Sequence, residues 1–266
     1  MSFKLTDVGL TIGGRNNSKS LIRNINFSIE PGKMTAILGP NGAGKSTIFK
    51  VMANEYSDFS GTMTLNGKDY FDFPSKLRAK MIGVLPQTSQ LAFSFTVLEV
   101  VMLGRLPHST GRKYDTDVAF SALEAADVEH LAFTHYPLLS GGEKQRVQMA
   151  RVLCQIWDPP VEDITQGQRY LLLDEPTSAL DLSHQHMCLS IAKRLAGEGV
   201  GVLSILHDLN LAAQYADKIL LLGDGEIVNQ GHPQDILTQE QISSLYGIDV
   251  LVMNHPVNQH PLIITV

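Results

Sequence analysis

Met34-Thr-Ala-Ile-Leu38, running directly into Gly39-Pro40-Asn41-Gly42-Ala43-Gly44-Lys45-Ser46-Thr47, decides how this chain is read. The first five residues carry no charge and read as a short buried strand; a Gly-rich turn follows, and a helix begins near Lys45. Gly, four residues, Gly, Lys and Ser fit the phosphate-binding pattern. Its glycines let backbone N–H groups curl into an anion nest. Lys45 can then reach the β- and γ-phosphates, and the Ser46 hydroxyl can ligate Mg²⁺.

Working outward, Phe3 to Ile12 and Ile22 to Ile29 alternate apolar and polar residues. The turn signals Gly13-Gly14 and Pro31-Gly32 bracket them as antiparallel strands. Further buried strands are expected at Tyr170 to Leu173, Val200 to Leu206 and Ile219 to Leu222, the first two leading into helical patterns. Strands and helices in this order predict an α/β fold with a mostly parallel sheet and helices on its faces. Thr96 to Gly104, Asp115 to Ala126 and Glu143 to Leu153 all read as helical, which predicts a helical insert in the α/β core. Asp158 to Gly167 is polar and Pro-rich and reads as a surface loop, and Asn66-Gly67-Lys68-Asp69 as a turn between strand and helix.

The 266 residues are 44% hydrophobic and 18% charged, enough apolar material for one or two ordinary domains. A net charge of −6 argues against a uniformly basic nucleic-acid surface. Cys154 and Cys188 are too few for a disulfide framework or a thiolate metal site, so a reduced, cytosolic setting is expected. The apolar stretches fall short of the roughly 18 residues that cross a bilayer, and the start resembles no secretory signal. The chain is therefore expected neither to span a membrane nor to be exported.

Three other motifs carry chemistry. Leu173-Asp174-Glu175 ends a buried strand, where successive side chains point to opposite faces. Asp174 is placed to hold the Mg²⁺ shell and Glu175 to orient or deprotonate a water. Leu139-Ser140-Gly141-Gly142-Glu143 precedes a helix with the spacing of a capping box, and its two glycines strip side chains from the helix start and open it to a phosphate. His184-Gln-His186-Met-Cys188 has metal-like composition, but residues two apart on a helix face different ways, so a closed site is not expected.

With these motifs in order, the chain resembles the ATP-binding subunits of ABC transporters across nearly its whole length. The resemblance rests on the phosphate loop at Gly39 to Thr47, Gln87 ending a strand, Leu-Ser-Gly-Gly-Glu at 139–143, Leu-Leu-Leu-Asp-Glu-Pro at 171–176, Ser178-Ala-Leu-Asp181 and His207. It implies the P-loop NTPase core of those ATPases, a mostly parallel sheet plus an antiparallel β subdomain. Residues 1–86 and 147–240 would form that core, 87–146 the helical signature subdomain and 241–266 a C-terminal extension. It also implies that Gln87 contacts Mg²⁺ and senses the membrane partner, that Asp181 bridges subunits at the dimer interface, and that His207 holds the γ-phosphate. Ser140, Gly141, Gly142 and Glu143 would act on ATP bound by the other subunit.

Val84-Leu-Pro-Gln87, Met102-Leu-Gly-Arg-Leu-Pro107 and Leu180-Asp-Leu-Ser-His-Gln185 are similar to importers of ferric siderophores, cobalamin and heme. The loop Cys154 to Arg169 is similar to hemin-import ATP-binding proteins in particular. The resemblance implies a homodimer on the cytoplasmic face of the inner membrane, two permease subunits and, through them, a periplasmic heme-binding protein, with no nucleic acid. The dimer also follows from arithmetic, because one phosphate loop and one signature per chain make two composite sites only when two chains meet head to tail. Where the family has an aromatic that stacks on adenine, this chain has Ile12, and the Arg15 guanidinium is the alternative stacking group. Two other classes compete: a soluble ABC ATPase acting on nucleic acid or ribosomes, and a non-catalytic nucleotide-binding module. The first commonly carries two cassettes or a long coiled coil, and the presence of Glu175 and His207 speaks against the second.

Overall fold

A computed structural model describes residues 1–13, 18–87, 94–157 and 167–266. The chain opens with β1 (Phe3–Ile12) and β2 (Lys19–Ile29), antiparallel from Phe3 opposite Ile29 to Ile12 opposite Lys19. The fully buried β3 (Met34–Leu38) leads through the glycine loop into α1 (Lys45–Met52). Next come β4 (Ser60–Leu65) and the short β5 (Lys68–Asp69). Asn66 and Gly67 join them with φ of 52° and 84°. The expected turn is therefore a hairpin turn between two strands, not one between strand and helix, because consecutive left-handed residues match the twist of a hairpin.

α2 (Ser75–Met81) hands over directly to β6 (Ile82–Leu85). α3 (Val97–Met102), α4 (Arg112–Ala125) and α5 (Gly141–Ile156) follow, and among the described residues no strand lies between β6 and α5. The loop expected at Asp158 to Gly167 lies outside the described residues except for Gly167, as does Arg15. The alternation then resumes with β7 (Tyr170–Asp174), α6 (Leu182–Gly197), β8 (Gly201–Ile205), α7 (Leu209–Tyr215) and β9 (Lys218–Gly223). β10 (Glu226–Gly231), α8 (Pro233–Ile236), α9 (Gln239–Tyr246), β11 (Val250–Asn254) and β12 (Pro261–Thr265) complete the chain.

The main sheet runs β10-β9-β3-β8-β7-β6, parallel except for β10, and the antiparallel sheet runs β2-β1-β4-β5. Helices cover one face of the main sheet, and α1 with the antiparallel sheet covers the other. Both faces are thus buried, which is why β3, β7 and β8 are apolar at nearly every position. In β7, Leu171 and Leu173 enter the core formed with the helices, while Tyr170 and Leu172 enter the core shared with α1 and the antiparallel sheet. That alternation carries Asp174 onto the α1 side. β11 and β12 form a separate antiparallel hairpin whose Val250 and Ile263 join the helical-side core.

Candidate active site

The phosphate loop sits at the C-terminal end of β3, where parallel sheets place their ligand sites. Gly44 caps α1 with φ 102°, and a Cβ on it would press on Ile22 Cγ2 at 2.8 Å. A Cβ on Gly39 would collide with the Leu222 carbonyl. The sequence needs glycine at both positions because β2 and β9 crowd the loop. Lys45 folds back so that Nζ donates to the Gly39 and Pro40 carbonyls at 2.6 and 2.9 Å. It is only 6% exposed. Burial pulls its pKa below the ordinary ammonium value, and the Glu175 and Asp174 carboxylates oppose that shift.

Asn41, Gly42, Gly44, Lys45, Ser46 and Thr47 share one open cleft of about 300 Å³ with Glu175 and His207. Lys19 and Leu21 complete its wall. The sequence reading passes over these two residues, although the antiparallel pairing of Ile12 with Lys19 is the signal that brings the start of β2 there. Ile12 is 44% exposed at the end of β1 and is not among the residues of this wall.

Glu175 is the hub. It leaves β7 with φ 50°, a conformation costly for a residue with a Cβ and found where surrounding contacts enforce it. Here its N–H donates to the Ile205 carbonyl and its carbonyl accepts from Ser178 N–H and Oγ. Gln87 Nε2 donates to Glu175 Oε2 at 2.7 Å, and His207 Nε2 lies 2.6 Å from Oε1. Residues from three separate segments thus meet on one carboxylate, whereas Asp174, at the end of β7, is buried, 3% exposed. Burial, reinforced by the Glu175 charge, pushes its carboxyl up to about 6, and its Oδ1 is buried without a hydrogen-bond partner.

The unpartnered Asp174 oxygen, the Ser46 hydroxyl at the start of α1 and the Gln87 amide oxygen are hard-oxygen donors of the kind that suit Mg²⁺. Ser46, Asp174 and Gln87 could therefore hold that ion.

The signature segment stands apart from this cluster, and Ser140 to Glu143 do not line the cleft. Ser140 Oγ accepts from Glu143 N–H at 3.4 Å, while Glu143 Oε2 accepts from Ser140 N–H at 2.7 Å. The Ser140 hydroxyl also donates to Glu143 Oε2 at 2.7 Å, and this bond, with that from Ser140 N–H, holds the Glu143 carboxyl below its usual value. The two glycines differ. A Cβ on Gly142 would meet the Ala179 carbonyl at 3.3 Å, so this glycine serves packing within the chain, whereas nothing lies within 4 Å of one on Gly141. Asp181 caps α6, accepting from His184 N–H at 2.9 Å and approaching His184 Nδ1 at 2.7 Å. His186 Nδ1 pairs instead with the Tyr215 hydroxyl at 2.9 Å. The two histidines diverge, and no metal-holding group of three is found among the described residues.

The sequence profile of the ABC transporter family matches residues 22–178. The hemin import ATP-binding protein of Gloeobacter violaceus is 48% identical over 98% of this chain and 93% of its own. The protein of that name from Pseudomonas entomophila is 49% identical over 94% of this chain and 96% of its own. Among solved structures, a metal-chelate type ABC transporter in an inward-facing conformation aligns with a TM-score of 0.78 and 26% identity, covering 100% of this chain and 97% of that one. A dimeric bacterial ABC transporter cassette aligns at 0.76 with 28% identity, covering 86% and 98%.

Proposed function

The chain belongs to the ABC transporter family as an ATP-hydrolysing subunit, and from that premise we propose that it couples ATP hydrolysis to heme import as a homodimer. In this reading it sits peripherally on the cytoplasmic face of the inner membrane, bound to two permease subunits that receive heme from a periplasmic binding protein. The observation that carries it is the identity of nearly half, end to end, with hemin import ATP-binding proteins. Among the described residues no helix is long and apolar enough to cross a membrane, which fits a subunit whose partners do so. The acidic net charge gives no support to a nucleic-acid partner.

The residues take these roles in the proposal. Backbone N–H groups of Gly39 and of Asn41 to Gly44, with the Lys45 ammonium, bind the phosphates; Pro40, which has no N–H, shapes the loop between them, and Ser46 and Thr47 close the helix end of the nest. Ser46, Gln87 and Asp174 would hold Mg²⁺, Asp174 through water. When bound, that ion neutralises phosphate charge. Glu175 orients the attacking water and takes its proton, and His207 donates to the γ-phosphate. Both groups already touch in this chain, so each must exchange the other for water or phosphate as ATP enters. Gln87 joins this carboxylate to the segment leading toward the helical insert, which suits it to report the permease. Ser140, Gly141, Gly142 and Glu143 would face the ATP of the second subunit, with Asp181 at the shared interface.

Phe95, at the entry to the helical insert, packs against the helical core, and its carbonyl accepts from Tyr136 N–H. That side chain therefore serves the fold of the insert. Reconstitution of the chain with its permease in liposomes tests the function. Heme-loaded binding protein should stimulate ATP hydrolysis several-fold. Stimulation by ferric siderophore or cobalamin instead would move the substrate, and ATPase indifferent to any permease would overturn the reading.

A further inference from the structure

Asn210 ties the helix that follows His207 to the last strand of the chain. Its Nδ2 donates to the Ile263 carbonyl at 3.1 Å, and Ile263 N–H donates to its Oδ1 at 2.8 Å. One amide side chain thereby supplies to β12 the donor and acceptor pair that a neighbouring strand would supply. Ile263 is a firm anchor, 7% exposed and in the same core as Leu211, Ala212 and Ala213 of α7.

α7 begins at Leu209, two residues past His207. Asp208 caps it by accepting from Asn210 N–H and Leu211 N–H at 2.7 and 3.0 Å, and Tyr215 fastens its far end to His186. The cap acts within the first turn and Tyr215 at the far end, while Leu211, Ala212 and Ala213 pack the body of α7 into the core. The Asn210 contact adds a tie from the first turn itself to a strand more than fifty residues away.

We propose that Asn210 is a positioning residue for ATP hydrolysis: by locking α7 to the C-terminal hairpin, it fixes where His207 stands against Glu175. This rests on the proposed role of His207 at the γ-phosphate. A sub-ångström shift of such a group is costly, since misplacement of about 1 Å can lower a rate by two orders of magnitude.

The test uses the full-length chain. Asn210→Ala should lower kcat about tenfold while KM for ATP stays within about twofold, because the phosphate nest is untouched. Asn210→Asp should behave alike, since it sets an oxygen against the Ile263 carbonyl, and it serves if the alanine variant does not fold. In a His207→Ala background, Asn210→Ala should lower kcat no further. A wild-type kcat in both Asn210 variants overturns the inference, as does a further fall in the His207→Ala background, which would mark a general loss of structure. If His207→Ala itself hydrolyses ATP at the wild-type rate, the role of His207 fails first and the inference falls with it.

Discussion

Asp174 and Glu175 are adjacent in sequence and opposite in environment, and that contrast makes their roles separable by experiment. The Asp174 carboxyl rises from its ordinary 3.8 to about 6 on folding. Between those values the folded chain holds more protons than the unfolded one, so stability falls as pH rises from about 4 to about 6 and is flat above. The charge then costs on the order of 3 kcal/mol at neutral pH without a cation. Asp174→Asn is expected to raise the urea midpoint at pH 7.5 and to lose that advantage by pH 4; an advantage independent of pH would remove the buried charge as its cause. Glu175→Gln is expected to bind ATP normally and hydrolyse it 10²- to 10⁴-fold more slowly, the usual worth of general-base assistance, and single-turnover kinetics read this directly. A wild-type rate would take the base role from Glu175. Much of this site is legible in the sequence, because Gly39 to Ser46 and Leu173 to Glu175 are local patterns with local physics. The junction of Gln87 and His207 on one carboxylate is not, since residues 88 and 32 positions from Glu175 meet only through the order of strands β6, β7 and β8.

At the scale of elements, patterns were readable where burial is extreme and faint where it is mixed. β3 lies where its uncharged run places it, and α5 starts where Ser140 and Glu143 form their box. β11 and β12 leave no clear signature in the sequence because only one face of the hairpin packs inward, leaving Leu251 and Met253 47% and 48% exposed, so its alternation is apolar with apolar. β2 starts at Lys19, ahead of the alternation that begins at Ile22, because Lys19 and Ser20 carry no hydrophobic signal. That difference bears on adenine. Ile12, opposite Lys19, offers a nucleotide base only apolar contact, while aromatic stacking on a base is worth roughly 1 to 3 kcal/mol. Ile12→Tyr is expected to tighten ATP binding by up to about tenfold, measured by titration calorimetry. No change would mean that Lys19 and Leu21 bound a base site that does not reach the end of β1. The signature helix allows a sharper separation. Gly141→Ala meets nothing within 4 Å, and alanine favours helix, so the unfolding midpoint of the isolated chain should hold or rise slightly while ATPase collapses. A variant with full ATPase would show that this face never meets nucleotide.

For the whole molecule the decisive feature is that the phosphate cleft and the signature helix start do not meet within one chain. Lys45, Glu175 and His207 gather on one cleft, and Ser140 to Glu143 lie outside it, so a site that needs both must draw on two copies. A twofold arrangement of identical chains satisfies this twice, each copy giving its cleft to one site and its signature to the other. Mixing then makes a prediction that no single-chain site can match. Lys45→Ala disables the cleft, and Ser140→Arg blocks the signature with a bulky cation; each alone should give an inactive homodimer. In an equal mixture half of the dimers are mixed, and each of these pairs the intact cleft of the Ser140→Arg chain with the intact signature of the Lys45→Ala chain. One site in two is whole in half of the dimers, so ATPase should recover to about a quarter of the wild-type value if the two sites act independently. With a different affinity tag on each chain, mixed dimers isolated by tandem purification should reach about half of the wild-type value. Silence from isolated mixed dimers would place the complete site within one chain and overturn the head-to-tail arrangement.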